Sequence, residues 1–181
     1  MIHGDNVLYL SDHIDLLHNQ SRDIRFVNPT MSLAPPFTKE SAHAKVKKAQ
    51  DLWNGQNPKV IAQAYTPDSV WRNRSSFLTG TADIEDFLTK KWQKEKSYRL
   101  RKELFAFSDN KIAVQFWYEF QDAHDGMKWK RCYGLEDWTF ADDGKMRKRQ
   151  MSGNDIEIDE AQRWFKDGVD VNAVEISESH W

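Results

Sequence analysis

Two arginines and an asparagine crowd the segment Trp71-Arg72-Asn73-Arg74, where a strand setting would favour Val or Ile. A buried polar group costs about 1–3 kcal/mol unless it is hydrogen-bonded, so these side chains need partners or a ligand. The candidate partner is Glu136, which stands between Gly134 and Trp138 on an otherwise apolar strand face. Desolvation disfavours the charged form of such a carboxyl group and a nearby cation restores it, which is how acid–base catalysts are tuned. The chemistry this would support is proton transfer on a small organic molecule, with Glu136 as the catalytic acid or base. Arg72, Asn73 and Asn154 would orient the ligand, and Trp71, Arg74, Tyr118 and Ser152 would complete the binding wall. The competing reading is an ion pair between Glu136 and Arg72 or Arg74 that closes the fold.

These groups can meet only if the elements carrying them share a face. Thr38 can cap a helix in which Ala42, Val46, Ala49, Leu52 and Trp53 recur at helical spacing until Asn54-Gly55. Asn57-Pro58 starts a second short helix running to Thr66-Pro67. A third follows Gly80 and carries Ile84, Phe87, Leu88, Lys91 and Trp92. Runs at roughly 98–107, 111–121, 128–140 and 145–153 then alternate with period two. The turns Ser108-Asp109-Asn110, His124-Asp125-Gly126 and Asp142-Asp143-Gly144 separate them, which predicts antiparallel neighbours. Helices first and a meander afterwards define an α+β architecture, with 70–74 adding an edge strand.

Alternation also predicts which residues face inward. On the second long strand these are Ile112, Val114, Phe116, Tyr118 and Phe120. A turn near Asp125 makes partner numbers sum to about 250, so Tyr118 faces Cys132 and Phe116 faces Gly134. Lys130, Cys132, Glu136, Trp138 and Phe140 then also point inward. Carrying the register through Asp142-Asp143-Gly144 puts Gln150, Ser152 and Asn154 on the face of Glu136. On the opposite parity Glu119 meets Arg131, an exposed cross-strand pair worth about 0.2–1 kcal/mol.

Several motifs together resemble the uncharacterised SnoaL-like family of the nuclear transport factor 2-like superfamily. They are Pro35-Pro36-Phe37-Thr38, Asp51-Leu52-Trp53, Ala64-Tyr65-Thr66, Trp71-Arg72-Asn73-Arg74 with Gly80, Phe87-Leu88 with Lys91-Trp92, Tyr133-Gly134, and Ser152-x-Asn154-Asp155. The resemblance spans about residues 35 to 165. It implies a cone of three N-terminal helices packed on a strongly curved antiparallel sheet, often dimeric through the sheet's outer face, with a ligand pocket in the cone. The superfamily includes ketosteroid isomerase, polyketide cyclases, dehydratases and the transport factor itself, so fold does not fix function. In ketosteroid isomerase the general base comes from the strand corresponding to Trp71–Asn73, where this chain has no acid. That departure moves any acid–base role to Glu136 or Asp155. The alternative to an isomerase-, cyclase- or dehydratase-like enzyme is a non-catalytic dimeric interaction module using the outer sheet face. Exposed Trp117 and Tyr133, or a blocked cone, would favour that alternative.

Composition narrows the partners. Twenty-six basic and 28 acidic residues nearly cancel, which leaves little long-range attraction for nucleic acid or an anionic membrane. No glycine-rich phosphate loop or nucleophile elbow occurs, and the six histidines form no ligand spacing, so no cofactor and no metal are expected. A single cysteine, Cys132, reads as a small core residue. It suits a reducing compartment, and the absence of a signal h-region points to the cytoplasm, with the nucleus also open. The basic runs Lys145–Arg149 and Lys90–Lys102 read as solvated faces. Residues 1–34 are expected to form an N-terminal extension, with Met31 as an alternative start, 35–165 the domain, and 166–181 an acidic tail whose Trp181 could dock.

Overall fold

A computed structural model of the chain describes residues 32–180. The expectations for residues 1–31, including the alternative start, and for Trp181 lie outside the described residues. Helix α1 (Lys39–Asn54) begins where Thr38 and Ser41 form a reciprocal capping box, and Gly55 ends it. Helix α2 (Pro58–Ala62) is capped by Asn57 and carries proline in its first turn. It stops short of Thr66-Pro67 because the chain turns extended at Tyr65. Strands β1 (Tyr65–Asn73) and β2 (Ser76–Thr79) follow as a hairpin, then helix α3 (Gly80–Lys94). Four long strands complete the sheet, β3 (Glu95–Ser108), β4 (Lys111–Asp122), β5 (Lys128–Phe140) and β6 (Met146–Glu157).

The six strands form one curved sheet in the order β2-β1-β6-β5-β4-β3. All neighbours are antiparallel except β1 and β6, which run parallel. The architecture is α+β, but a hairpin separates α2 from α3, so the helices do not all precede the sheet. Nor does the 70–74 segment form the edge, because β2 pairs outside it.

One face of the sheet meets the helices. The predicted pairing of β4 with β5 holds, with Tyr118 opposite Cys132 and Phe116 opposite Gly134. Ile112, Val114, Phe116, Tyr118 and Phe120 are all buried. A Cβ at position 134 would come within 1.9 Å of the Phe116 ring, so glycine is what lets that ring lie across β5.

The predicted pairing of β5 with β6 fails beyond its first residue. Phe140 pairs with Met146, as the turn requires, but Thr139 pairs with Lys148, so a β-bulge admits one extra residue. A one-residue shift exchanges the two faces of a strand. Arg149 and Met151 therefore point into the core, whereas Ser152 and Asn154, expected beside Glu136, are exposed on the outer face.

The outer face is partly covered by the chain beyond β6. Phe165 is fully buried and packs with Val171 on Trp117, with Trp164, Val174 and Ile176 alongside. Glu119 accepts the Trp164 and Phe165 amides at 2.9 and 3.0 Å. It also accepts Arg131 Nε and Nη2 at 2.8 and 2.6 Å. Arg99 donates to the Lys166 and Val169 carbonyls, and Arg101 to those of Val171 and Val174. The Glu119–Arg131 pair, expected to be exposed, is thus buried, and the segment 164–176 lies along the sheet as a strap.

Candidate functional site

Glu136 is buried between helices and sheet, but neither Arg72 nor Arg74 meets it. One carboxylate oxygen accepts Lys102 Nζ at 2.9 Å and Trp138 Nε1 at 2.7 Å. The other accepts Arg149 Nη2 at 2.5 Å, and Arg149 Nη1 donates to Asn73 Oδ1 at 3.0 Å. Lys102 lies over the Phe116 and Trp138 rings, and Arg149 lies over Trp53 and Trp71. Burial pushes the Glu136 carboxyl up, but Arg149 and Lys102 outweigh it and hold the group down at about 2. Burial and the neighbouring Arg149 bring Lys102 down to about 8 against the pull of Glu136. The three groups form an ionised cluster at neutral pH, and the space among them is about 10 Å³, room for about one water.

Arg74 organises a second cluster at the rim. It sits at φ 56, a left-handed backbone that a side-chain-bearing residue adopts at a cost, and its amide donates to the Met151 carbonyl at 3.0 Å. Its guanidinium donates to Asp155, the Gly153 carbonyl, Tyr118 Oη and Cys132 Sγ. Burial opposes the Arg74 charge, but Tyr118, Cys132 and Asp155 raise its pKa. Burial and Asp155 push the Cys132 thiol up to about 12, so it packs as a thiol and not as a nucleophile. Arg72 points the other way, to Ser152 Oγ at 3.1 Å and the Met151 carbonyl at 3.4 Å.

A cavity with an apolar floor lies elsewhere, between α1, α2 and the β5–β6 turn, with a volume of about 230 Å³. Trp53, Ile61, Tyr65, Trp138, Phe140 and Met146 form that buried floor, while Lys48, Asp143 and Lys145 stand exposed at its mouth. Lys45 lines it from α1. Its Nζ lies 5.1 Å from the Phe140 ring centre and donates to the Gly144 carbonyl at 2.6 Å. Burial and the like charge of Lys48 bring Lys45 down to about 8, against the pull of Asp143.

Of the residues singled out from the sequence, Glu136, Trp71 and Asn73 come together around the ionised cluster, and Tyr118 lines the same space. Trp71 packs on Arg149, Tyr65 and Phe87. Arg74 stands beside this group, and Arg72, Ser152 and Asn154 face away from it. Sequence reasoning missed Lys102, Arg149 and Lys45. Lys102 shares the parity of Tyr98 and Leu100, which was a usable signal, whereas the bulge hid Arg149. The two basic runs are each amphipathic rather than wholly solvated.

This arrangement of a curved six-stranded sheet over helices is that of the SnoaL-like, nuclear transport factor 2-like fold. The chain belongs to the family described as a protein of unknown function, DUF1348, which matches residues 35–166. No curated protein matches it. Among solved structures it is similar to the epoxide hydrolase/cyclase-like enzyme SalBIII, which acts in pyran ring formation in polyether salinomycin. That likeness has 12% identity and a TM-score of 0.57 and covers 64% of this chain and 93% of the other. A hypothetical protein with a ketosteroid isomerase-like fold from Catenulispora acidiphila DSM 44928, in complex with trimethylamine, is 10% identical, with a TM-score of 0.55 over 61% of this chain and 85% of its own. The BvnE pinacolase from Penicillium brevicompactum is 13% identical, with a TM-score of 0.54 over 64% and 86%. At these identities the likeness concerns the fold. No described helix is long and apolar enough to cross a membrane.

Proposed function

We propose that this protein binds a small, mostly apolar organic molecule inside the cone, in the cavity between α1, α2 and the β5–β6 turn. The observation that carries this reading is a 230 Å³ cavity with an aromatic floor and a single lysine amine directed along its wall. Binding sites pair an apolar lining with a few placed polar groups, and an apolar cavity of about 150 Å³ accepts benzene. The cavity suits one ring bearing one oxygen-containing group, carboxylate or carbonyl, held at Lys45. Glu136 serves as the ionic anchor of the neighbouring wall, because both its oxygens are committed and little free space adjoins it. Proton transfer in a cofactor-independent reaction would then fall to Lys45.

Calorimetric titration with benzoate tests this. Binding is expected near neutral pH, and Lys45→Met should weaken it about 10- to 100-fold, the worth of a charged hydrogen bond. Affinity should also fall as pH rises through about 8, where Lys45 loses its charge. Equal affinity in wild type and Lys45→Met would contradict the assignment.

The interaction-module reading has one observation in its favour. Leu135 and Ile156 remain exposed on the outer face beside a groove of about 310 Å³ that includes Ser152 and Asn154. The strap takes the remainder of that face from a partner, since Trp117 is buried beneath it and Tyr133 packs against Trp164.

A further inference from the structure

Lys45 has the surroundings of a nucleophilic amine. It makes no ion pair among the described residues, and its hydrogen bond runs to a backbone carbonyl, which accepts from neutral and charged amines alike. Lys102, which burial also brings down to about 8, is tied to Glu136 and faces a space of about 10 Å³. Lys45 instead borders open apolar volume large enough for a ring-bearing carbonyl compound. Burial, helped by the like charge of Lys48 and opposed by Asp143 at the mouth, lowers its pKa to about 8, so roughly a tenth of the amine is neutral at pH 7.

We infer that Lys45 forms an imine with small aldehydes or ketones whose apolar body fills the Trp53–Trp138–Phe140 cavity. This rests on the ligand-binding reading above and adds a covalent step to it. The Nζ lone pair attacks the carbonyl carbon, and the C=O π pair moves to oxygen. One proton leaves nitrogen and one arrives on oxygen, giving a carbinolamine. Loss of hydroxyl with a second proton releases water and leaves C=N. The sum is amine plus carbonyl giving imine plus one water, with no oxidant or reductant. At about 8, the neutral fraction near pH 7 exceeds that of an ordinary lysine on the order of a hundredfold, which favours attack at this site over the surface lysines.

The test incubates full-length protein with benzaldehyde and cyanoborohydride at pH 7, then maps the benzylated lysines by mass spectrometry of peptides. The expected result is one benzyl group, on Lys45, added about tenfold or more faster than on any other lysine. Lys45→Arg, which keeps the charge and the reach to Gly144, should lose that label. In parallel, benzyl alcohol, which cannot form an imine, is titrated by NMR. Uniform labelling of surface lysines with benzyl alcohol still binding would overturn the imine and leave the pocket standing. Uniform labelling with no benzyl alcohol binding would overturn the pocket as well.

Discussion

Glu136→Gln should lower folding stability by about 3–5 kcal/mol, the usual consequence of removing one partner from a buried ion pair. The amide leaves Lys102 and Arg149 charged, 2% exposed at their side chains and without a counter-ion. Against a total stability of about 5–15 kcal/mol, this is close to unfolding. The same carboxylate fixes a pH dependence. Its pKa is depressed from 4.5 to about 2 in the folded chain, so its contribution is fully present above about 4.5 and disappears as pH falls toward 2. Urea midpoints should therefore differ widely between wild type and Glu136→Gln at pH 6 and converge near pH 2. Replacing Glu136, Lys102 and Arg149 together by Leu, Met and Met should recover much of the loss, because no charge is then left unpaired. A small loss for Glu136→Gln alone would mean that the carboxylate is not an anchor and would reopen its acid–base role.

The second large effect concerns the strap. Glu119 joins β4 to Arg131 on β5 and to the amides of Trp164 and Phe165, all away from water. Glu119→Ala should cost about 3–5 kcal/mol by leaving Arg131 uncompensated. It should do more than lower the unfolding midpoint. Hydrogen exchange should accelerate over residues 164–176 well before the amides of β4 and β5 lose protection, because the strap opens as a local unit. Arg131 lies 3.5 Å from the Trp164 ring centre, so Trp164 fluorescence should also shift toward that of an exposed indole. Unchanged exchange in the strap would show that Phe165 and Val171 hold it without the carboxylate.

Much of this fold was legible in residue order. Caps at Thr38 and Asn57, the stop at Gly55 and strict alternation through β4 located α1, the start of α2 and the inward face of β4. The hairpin at Asp125 gave the β4–β5 register, which placed Glu136 and Cys132 correctly. The site itself was legible only in part. A single extra residue after Met146 turned β6 over, and no residue type there announces a bulge. The partner of Glu136 was consequently sought in Arg72 or Arg74, whereas Arg149 occupies the inward position. Lys102 was obscured by surrounding charges, although its alternation with Leu100 was readable. The strap was hidden for another reason. Phe165 and Val171 sit in an acidic stretch of low apolar density, and only tertiary contact with Trp117 shows that they are buried. Lys45 is one of four lysines on α1, and nothing in its spacing separates it from those that face solvent.

The location of a bound ligand tests the central claim most directly. Uniformly labelled protein titrated with benzoate and followed by NMR should show the Trp53 and Trp138 indole resonances and the Lys45 side chain moving together and saturably. Trp117 and the Leu135 and Ile156 methyls should stay in place. Saturable shifts confined to the outer-face groove, or none at the Trp53 and Trp138 indoles, would contradict a ligand site between α1, α2 and the β5–β6 turn.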